Sequence, residues 1–171
     1  MKQIFFTIFL ITTGFSQLKV NAIAPDFTLT DGAGISHTLS DYQGQFVILY
    51  FYPKDNTPGC TKEACNFRDN FSQIRSQNAT ILGVSWDSSK KHASFTEKYN
   101  LPFTLLSDLE GDVTELYKAA GWFMPKRYTY IIDPLGSIVS VYTRFDISTH
   151  SEEIISFIQS ISKPKNDTVS N

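Results

Sequence analysis

Residues 45–65, QFVILYFYPKDNTPGCTKEAC, contain a strand, a loop and the start of a helix in succession. After its first residue, Gln45–Phe51 is a run of aromatic, branched and other apolar side chains, which is typical of a strand buried on both faces. Pro53 to Gly59 break that pattern, and helical spacing begins at Thr61. The stretch therefore predicts a strand–loop–helix unit in which a cysteine lies where the loop meets the helix.

The same periodicity arguments predict further elements on both sides of this unit. They are a short hairpin that starts at Phe27 and turns at Asp31–Gly34, strands at Ala79–Trp86, Thr104–Leu106, Tyr128–Asp133 and Ser137–Arg144, and helices at Thr61–Ser76, Ser88–Tyr99, Gly111–Ala119 and Ser148–Ile161. Strands alternate with helices early, and two strands pair as a hairpin before the last helix. This order predicts an α/β fold of thioredoxin-like arrangement, with a mixed central sheet, helices on both faces, one late antiparallel pair and an N-terminal β-hairpin.

Composition limits the classes of function. The 171 residues suit one domain, 42% of them are hydrophobic, and the formal net charge is −2. No basic field is available for a phosphate backbone, so we expect no nucleic-acid partner. Two cysteines are too few for a disulfide-stapled mini-fold or a four-cysteine zinc site. The histidines, His37, His92 and His150, lack metal-ligand spacing, and we interpret them as surface residues and expect no metal.

Residues 1–16 have the pattern of a secretory signal peptide: a short positive start, an apolar run and a small-residue end. We expect cleavage before Gln17, with cleavage after Ala22 as the second choice. The alternatives are a buried N-terminal strand of a cytosolic protein and an uncleaved membrane anchor. The pattern predicts an exported, periplasmic protein without stable membrane association, and a cytoplasmic protein is the alternative. The folded domain is then 17–162, followed by a flexible polar tail, 163–171.

The two cysteines, Cys60 and Cys65, are five residues apart. A thiol at the start of a helix meets free backbone N–H groups and the positive end of the dipole, which favour the reactive thiolate. In one intact helix the pair would be separated by about 7.5 Å along the axis alone. A disulfide needs Cα atoms roughly 4.4–6.8 Å apart. Either the helix unwinds when the cysteines bond, or the two thiols never meet.

The segment YPKDNTPGCTKEACNFRD, residues 52–69, resembles the active-site stretch of the peroxiredoxins. It is most similar to their bacterioferritin comigratory protein, or peroxiredoxin Q, branch. Further matching segments lie at Ala24–Leu29, Leu101–Phe103, Leu105–Asp108 and Arg127–Asp133, so the resemblance covers about residues 18–160.

The resemblance implies a role for each matching residue. Cys60 would be the peroxidatic cysteine, which attacks the peroxide and becomes a sulfenic acid. Thr57 would hydrogen-bond the thiolate and the peroxide, Pro53 would shield the pocket from water, and Arg127 would stabilise the developing charge. Cys65 would be the resolving cysteine, which condenses with the sulfenic acid to an intramolecular disulfide.

The resemblance also implies the activity and its partners. The protein would be a thiol-dependent peroxidase that reduces hydrogen peroxide and organic hydroperoxides in antioxidant defence. A thioredoxin-like donor, or another thiol reductant, would restore the dithiol, and neither a metal nor an organic cofactor would be needed. Members of this branch are often monomers, so we expect a monomer.

The same residues could instead have purely structural roles. Thr57 could be a turn residue or helix cap, Pro53 could stiffen the loop, and Arg127 could be a surface charge. Glu63 could order the first helical turn. The aromatic segment Trp122–Met124 could form an apolar lip beside the pocket, which we expect to favour organic hydroperoxides or to shape the docking of the reductant.

Two other functions compete with a peroxidase. A thioredoxin-like oxidoreductase acting on protein disulfides predicts two residues between its cysteines, and this chain has four. An exported binding module, with a small structural disulfide or a free cysteine, predicts neither the loop before Cys60 nor the strand that follows Arg127.

Overall fold

The computed structural model describes residues 17–162, so the predictions for residues 1–16 and 163–171 lie outside the described part. The strands are β1 (Thr28–Asp31), β2 (Ser36–Thr38), β3 (Phe46–Phe51), β4 (Ala79–Ser85), β5 (Thr104–Ser107), β6 (Tyr128–Ile132) and β7 (Ile138–Tyr142). The helices are α1 (Pro58–Asp69), α2 (Phe71–Ser76), α3 (Ser89–Tyr99), α4 (Asp112–Leu116) and α5 (His150–Ser162), with a 3-10 helix at Leu39–Tyr42. The predicted strands and most helices are present within a few residues, but the 3-10 helix was not expected.

The seven strands form one mixed sheet in the order β2-β1-β5-β4-β3-β6-β7. The central pairs β3–β4 and β4–β5 are parallel, whereas β1–β2, β1–β5, β3–β6 and β6–β7 are antiparallel. The thioredoxin-like mixed sheet with an N-terminal hairpin is confirmed. The expected late antiparallel pair is present as β6–β7. Two further antiparallel pairings were not expected: the N-terminal hairpin joins the sheet beside β5, and β6 runs antiparallel to β3.

Both faces of the sheet are covered, as the apolar run of β3 predicted. Alternate residues of this strand point to opposite sides: Ile48 and Tyr50 belong to one apolar cluster, and Val47 and Leu49 to the other. The first cluster includes side chains from α1, α2, α3 and α5, and the second includes α4 and the segment before β1. The two clusters fix β3 in the middle of the domain, so the loop that follows it starts from a rigid strand.

The predicted helix Thr61–Ser76 is two helices, α1 and α2, which are separated at Asn70. Asn70 has φ −102° and ψ 6°, and its side-chain Nδ2 donates to the carbonyl of Asn66 at 3.1 Å. The backbone N–H of Asn70 bonds the same carbonyl at 3.2 Å, so the side chain and the main chain share one acceptor where the helix breaks. The helix also begins earlier than predicted, because Pro58 occupies its first position, where the missing N–H costs nothing.

Membrane-spanning helices and clusters of metal ligands are both absent from residues 17–162. No helix in this range is both long enough and apolar enough to cross a membrane. The same range contains no group of three or more His, Cys, Asp or Glu side chains placed to hold a metal ion.

Candidate active site

The sheet register brings the two ends of the site together. Strand β3 ends at Phe51, which pairs with Tyr128 at the start of the antiparallel strand β6. Arg127 is the residue before β6. It therefore lies at the same end of the strands as the loop that carries Cys60. Cys60, only 2% exposed, lies in the first turn of α1, and the Arg127 Nη2 donates to its Sγ at 3.2 Å. Two residues that are 67 positions apart thus form one contact.

Glu63 holds the arginine from the other side. It lies three residues after Cys60 on α1, so both side chains project from the same face of the helix. Its carboxylate accepts a hydrogen bond from the Arg127 Nη1. Only 1% of the Glu63 side chain is exposed, against 23% for Arg127. The sequence reading that Glu63 orders the first helical turn did not identify this contact, although the three-residue spacing from Cys60 carried the signal.

Burial and charge act in opposite directions on this pair. Burial raises the pKa of Glu63 to about 7, against the opposing effects of the Arg127 charge and hydrogen bond. For Arg127, burial favours the neutral form, but the Glu63 charge and the Cys60 sulfur outweigh burial and raise the pKa of the guanidinium. The arginine is therefore a permanent cation whose two nitrogens face a carboxylate and a sulfur.

Thr57 and Pro53 belong to the loop between β3 and α1. Thr57 is the residue before α1, and its carbonyl accepts from the Thr61 N–H at 2.9 Å. Its hydroxyl donates to the carbonyl of Lys54 at 3.0 Å. Because that proton is engaged, the oxygen lone pairs remain available to accept from a peroxide hydroxyl. Pro53 is half-buried in the same loop.

Cys65 lies in the same helix as Cys60, and both thiols are free. Cys65 is half-buried, whereas Cys60 is buried. Five residues of wound helix separate them by about 7.5 Å along the axis. The structure therefore describes a reduced, wound state in which the two sulfurs cannot bond.

A buried polar network fixes the loop before Cys60, and it corrects the interpretation of His92. This histidine is fully buried: its Nδ1 lies 2.9 Å from an Asp55 carboxylate oxygen, and its Nε2 lies 3.1 Å from the Leu106 carbonyl. Asp55 also accepts from the Tyr52 hydroxyl at 2.7 Å, and its own N–H donates to Asp87 at 2.9 Å. The surface interpretation of His92 is wrong, because these partners come from loops and strands distant in sequence.

His150 is also fully buried, so its surface interpretation is wrong as well. Its Nε2 lies 2.9 Å from the Thr129 hydroxyl, and its ring stacks on Phe145. Burial, assisted by the charge of Arg127, lowers the pKa of His150 to about 3. Of the three histidines, only His37 is partly exposed. Its Nε2 lies 3.0 Å from an Asp31 carboxylate oxygen.

The neutral His150 predicts a component of acid instability. The folded protein keeps this ring neutral down to about pH 3, whereas the unfolded chain takes up a proton below about pH 6.5. Acid therefore favours the unfolded state through this residue. Between pH 7 and pH 5 we expect the wild type to lose about 2 kcal/mol of unfolding free energy relative to His150→Gln. Urea titrations at each pH measure the difference, and a difference independent of pH would contradict the expectation.

The segment before Arg127 is a closed loop with an apolar tip. The Lys126 N–H donates to the Ala119 carbonyl at 2.7 Å and closes its base. A Cβ on Gly121 would lie 2.3 Å from the Met124 carbonyl oxygen, so this turn requires glycine. At the tip, Trp122 is 91% and Phe123 81% exposed, and their rings are stacked. The roles expected for this lip in hydroperoxide preference or reductant docking stay predictions.

A buried thiol that faces a fixed cation, at the start of a helix on a thioredoxin-like sheet, defines a class: the thiol oxidoreductases of this fold. The family model described as AhpC/TSA family matches residues 20–141. The chain belongs to that family, in the Bcp and peroxiredoxin Q branch of the peroxiredoxins. Peroxiredoxins are peroxidases, so the chain is an oxidoreductase.

Three relatives illustrate the similarity. A Coxiella burnetii protein, a peroxiredoxin bcp by name, is 45% identical over 150 residues, which cover 81% of this chain and 97% of its own. A mutant of PrxQ from Xylella fastidiosa superposes with a TM-score of 0.83 at 31% identity, covering 86% and 99% of the two chains. The bacterioferritin comigratory protein of Xanthomonas campestris, studied for alkyl peroxide reduction, has a TM-score of 0.77 at 28% identity, with 80% and 92% covered.

Proposed function

We propose that this chain reduces hydrogen peroxide and organic hydroperoxides at Cys60, with Cys65 as the resolving thiol. The observation that carries the proposal is the position of Arg127: one guanidinium nitrogen lies 3.2 Å from the Cys60 sulfur while the other is held by the buried Glu63. A preorganised cation of this kind stabilises both a thiolate and the negative charge that develops on the departing oxygen. The pair is also sheltered from bulk water, which strengthens the electrostatic interaction.

The first step breaks the O–O bond of the peroxide. The Cys60 thiolate attacks one peroxide oxygen, the sulfur is oxidised to a sulfenic acid, and the other oxygen departs as water or an alcohol after taking a proton. In the arrangement described above, the Thr57 hydroxyl accepts from the peroxide O–H and Arg127 faces the reacting sulfur. Pro53, half-buried in the loop, limits the access of water.

The second step joins the two cysteines. The Cys65 thiolate attacks the Cys60 sulfenic sulfur, the S–O bond breaks, and the hydroxide leaves as water. A thioredoxin-like dithiol then reduces the disulfide and is itself oxidised. Support for organic hydroperoxides comes from the Xanthomonas campestris relative, whose described activity is alkyl peroxide reduction.

The mechanism predicts that oxidation unwinds the first half of α1. One equivalent of hydrogen peroxide should remove both free thiols, form the Cys60–Cys65 disulfide and abolish amide-exchange protection over residues 58–65, because the wound helix holds the sulfurs too far apart. Hydrogen exchange with mass spectrometry compares the reduced and oxidised forms.

The Cys65→Ser variant is the matched control, since it cannot form the disulfide. Treated with the same equivalent of peroxide, it should keep more protection over residues 58–65 than the oxidised wild type. A disulfide form that retains the full protection of the reduced protein would contradict the required unwinding.

We further propose that the protein is exported after removal of residues 1–16, to the periplasm, and acts as a monomer. The basic start, short apolar run and small-residue end of that segment support export. N-terminal sequencing of the mature protein distinguishes cleavage before Gln17, cleavage after Ala22 and no cleavage. Met1 would be kept in both the cytoplasmic and the uncleaved-anchor alternatives, which cell fractionation then separates.

A further inference from the structure

His92 connects helix α3 to the loop before Cys60. It lies in the first turn of α3 and is fully buried. Its Nε2 lies 3.1 Å from the carbonyl oxygen of Leu106, in β5. Its Nδ1 lies 2.9 Å from the Oδ2 of Asp55, whose side chain is 2% exposed. Each ring nitrogen therefore faces a buried oxygen that belongs to a different element of the fold.

These two oxygens determine where the ring protons lie. A backbone carbonyl can only accept a hydrogen bond, so Nε2 must carry a proton to bond Leu106. In a neutral ring, Nδ1 would then present a lone pair to Asp55. A lone pair 2.9 Å from an ionised carboxylate oxygen is repulsive, so a proton must lie between the two atoms. The pair of Asp55 and His92 therefore holds one proton more than a neutral ring beside an ionised carboxylate.

The nearest groups favour a position of that proton on the ring. An imidazole is a stronger base than a carboxylate. The Tyr52 hydroxyl donates to the Oδ1 of Asp55 at 2.7 Å, and a hydrogen bond to an ionised carboxyl stabilises the ionised form. Burial raises the pKa of Tyr52 well above its usual value, so this hydroxyl keeps the proton that it donates.

The balance of charge around the pair favours the same protonation state. Asp87 is 4% exposed and accepts from the Asp55 N–H at 2.9 Å. Burial favours its neutral form, but this hydrogen bond and those from Lys91 and Ser85 outweigh burial and lower the pKa of Asp87. Lys91, with 58% of its side chain exposed, pairs with Asp87 at 3.1 Å. Two buried carboxylates thus face one largely exposed lysine, and a protonated His92 supplies a second positive charge.

We propose that His92 is a positioning residue for the peroxide reaction: as an imidazolium it holds Asp55 and thereby fixes the loop that carries Pro53 and Thr57. The inference rests on the proposed peroxidase function. The Thr57 hydroxyl donates to the carbonyl of Lys54, the residue before Asp55, so a shift at Asp55 displaces the hydroxyl that receives the peroxide. A displacement of about 1 Å near reacting atoms can lower a rate by about 10²-fold.

The first measurement locates the ring protons. Protein with ¹⁵N-labelled histidine is examined by NMR at pH 7, and the His92 signals are assigned by their loss in His92→Asn. We expect a proton on both ring nitrogens in the wild type. In Asp55→Asn we expect a proton on Nε2 alone, because an asparagine amide can donate to Nδ1. A wild-type Nδ1 without a proton overturns the proposal, whether or not the protein reacts with peroxide.

The second measurement tests whether the contact with Asp55 positions the loop. His92→Asn places an amide donor close to the position of Nδ1, towards Asp55, and His92→Gln places one close to Nε2, towards Leu106. Both variants lose the ring. Rapid-quench mass spectrometry with hydrogen peroxide gives the rate constant for sulfenic acid formation at Cys60. We expect His92→Gln to be about 10- to 100-fold slower than the wild type and His92→Asn to recover most of that loss.

Further variants complete the experiment. Lys90→Gln removes an exposed cation of the same helix and should react at the wild-type rate. Equal rates in His92→Asn and His92→Gln would show that the ring only fills space and would overturn the proposal. If circular dichroism shows that His92→Gln is unfolded, Asp55→Ala replaces it, and a wild-type rate there overturns the proposal. A wild type that forms no sulfenic acid would instead overturn the peroxidase proposal, while the NMR result would still decide the protonation of His92.

Discussion

Replacing Cys60 with serine is expected to lower kcat/KM for hydrogen peroxide by on the order of 10³-fold or more, the largest effect in this protein. A serine hydroxyl in the same position is almost entirely un-ionised at neutral pH and is a much weaker nucleophile than a thiolate. The substitution is close to isosteric in a buried position, so the fold should be retained. Stopped-flow measurement of peroxide consumption, with a thioredoxin-like dithiol present, gives the rate.

Cys65→Ser provides the comparison, because it removes a thiol five residues away in the same helix. This variant should react once with peroxide at the wild-type rate and then stop, unless an external thiol reduces the sulfenic acid. Equal peroxide reactivity of Cys60→Ser and the wild type would mean that the chemistry lies elsewhere.

The second large effect is expected at Arg127. Arg127→Met removes the cation 3.2 Å from the Cys60 sulfur and also leaves the buried Glu63 carboxylate without its partner. Loss of one preorganised charge-stabilising donor typically costs about 10²- to 10³-fold in rate, and we expect a loss of this size in kcat/KM. The same stopped-flow assay measures it, with circular dichroism to verify the fold.

Two variants make the interpretation specific. Arg127→Lys keeps the charge but not the planar fork that contacts Glu63 and Cys60 together, so it should recover part of the rate. Arg75→Gln, which removes an exposed arginine, should leave the rate unchanged. A full rate in Arg127→Met would show that the arginine is a structural charge.

Local sequence patterns predicted the helices and strands whose structure follows from a run or a regular spacing of apolar residues. The apolar run of β3 is a strand buried on both faces, and α3 begins at Ser89, one residue after its predicted start. Where a side chain bonds a residue of another helix, the spacing of apolar residues did not predict the end of the helix. The helix breaks at Asn70, whose amide also bonds Glu152 of α5, and no periodicity contains that contact.

The same distinction applies to the candidate site. The motif around Cys60 and the strand after Arg127 indicated both residues, and the sheet register brings them into contact. His92 and His150 were misjudged, and the contact of Glu63 was missed, because the partners are distant in sequence. Leu106, Thr129 and Arg127 reach them only through the packing of the sheet and helices. Burial of a polar residue follows from those contacts and not from its local sequence.

The proposed function requires that peroxide oxidise the Cys60 sulfur. The most direct measurement treats reduced Cys65→Ser protein with one equivalent of hydrogen peroxide, traps the product with a sulfenic-acid reagent and locates the adduct by peptide mass spectrometry. The adduct should lie on the peptide containing Cys60, and the Cys60→Ser variant should give none under the same conditions. An unmodified Cys60 peptide after the peroxide is consumed would contradict the claim.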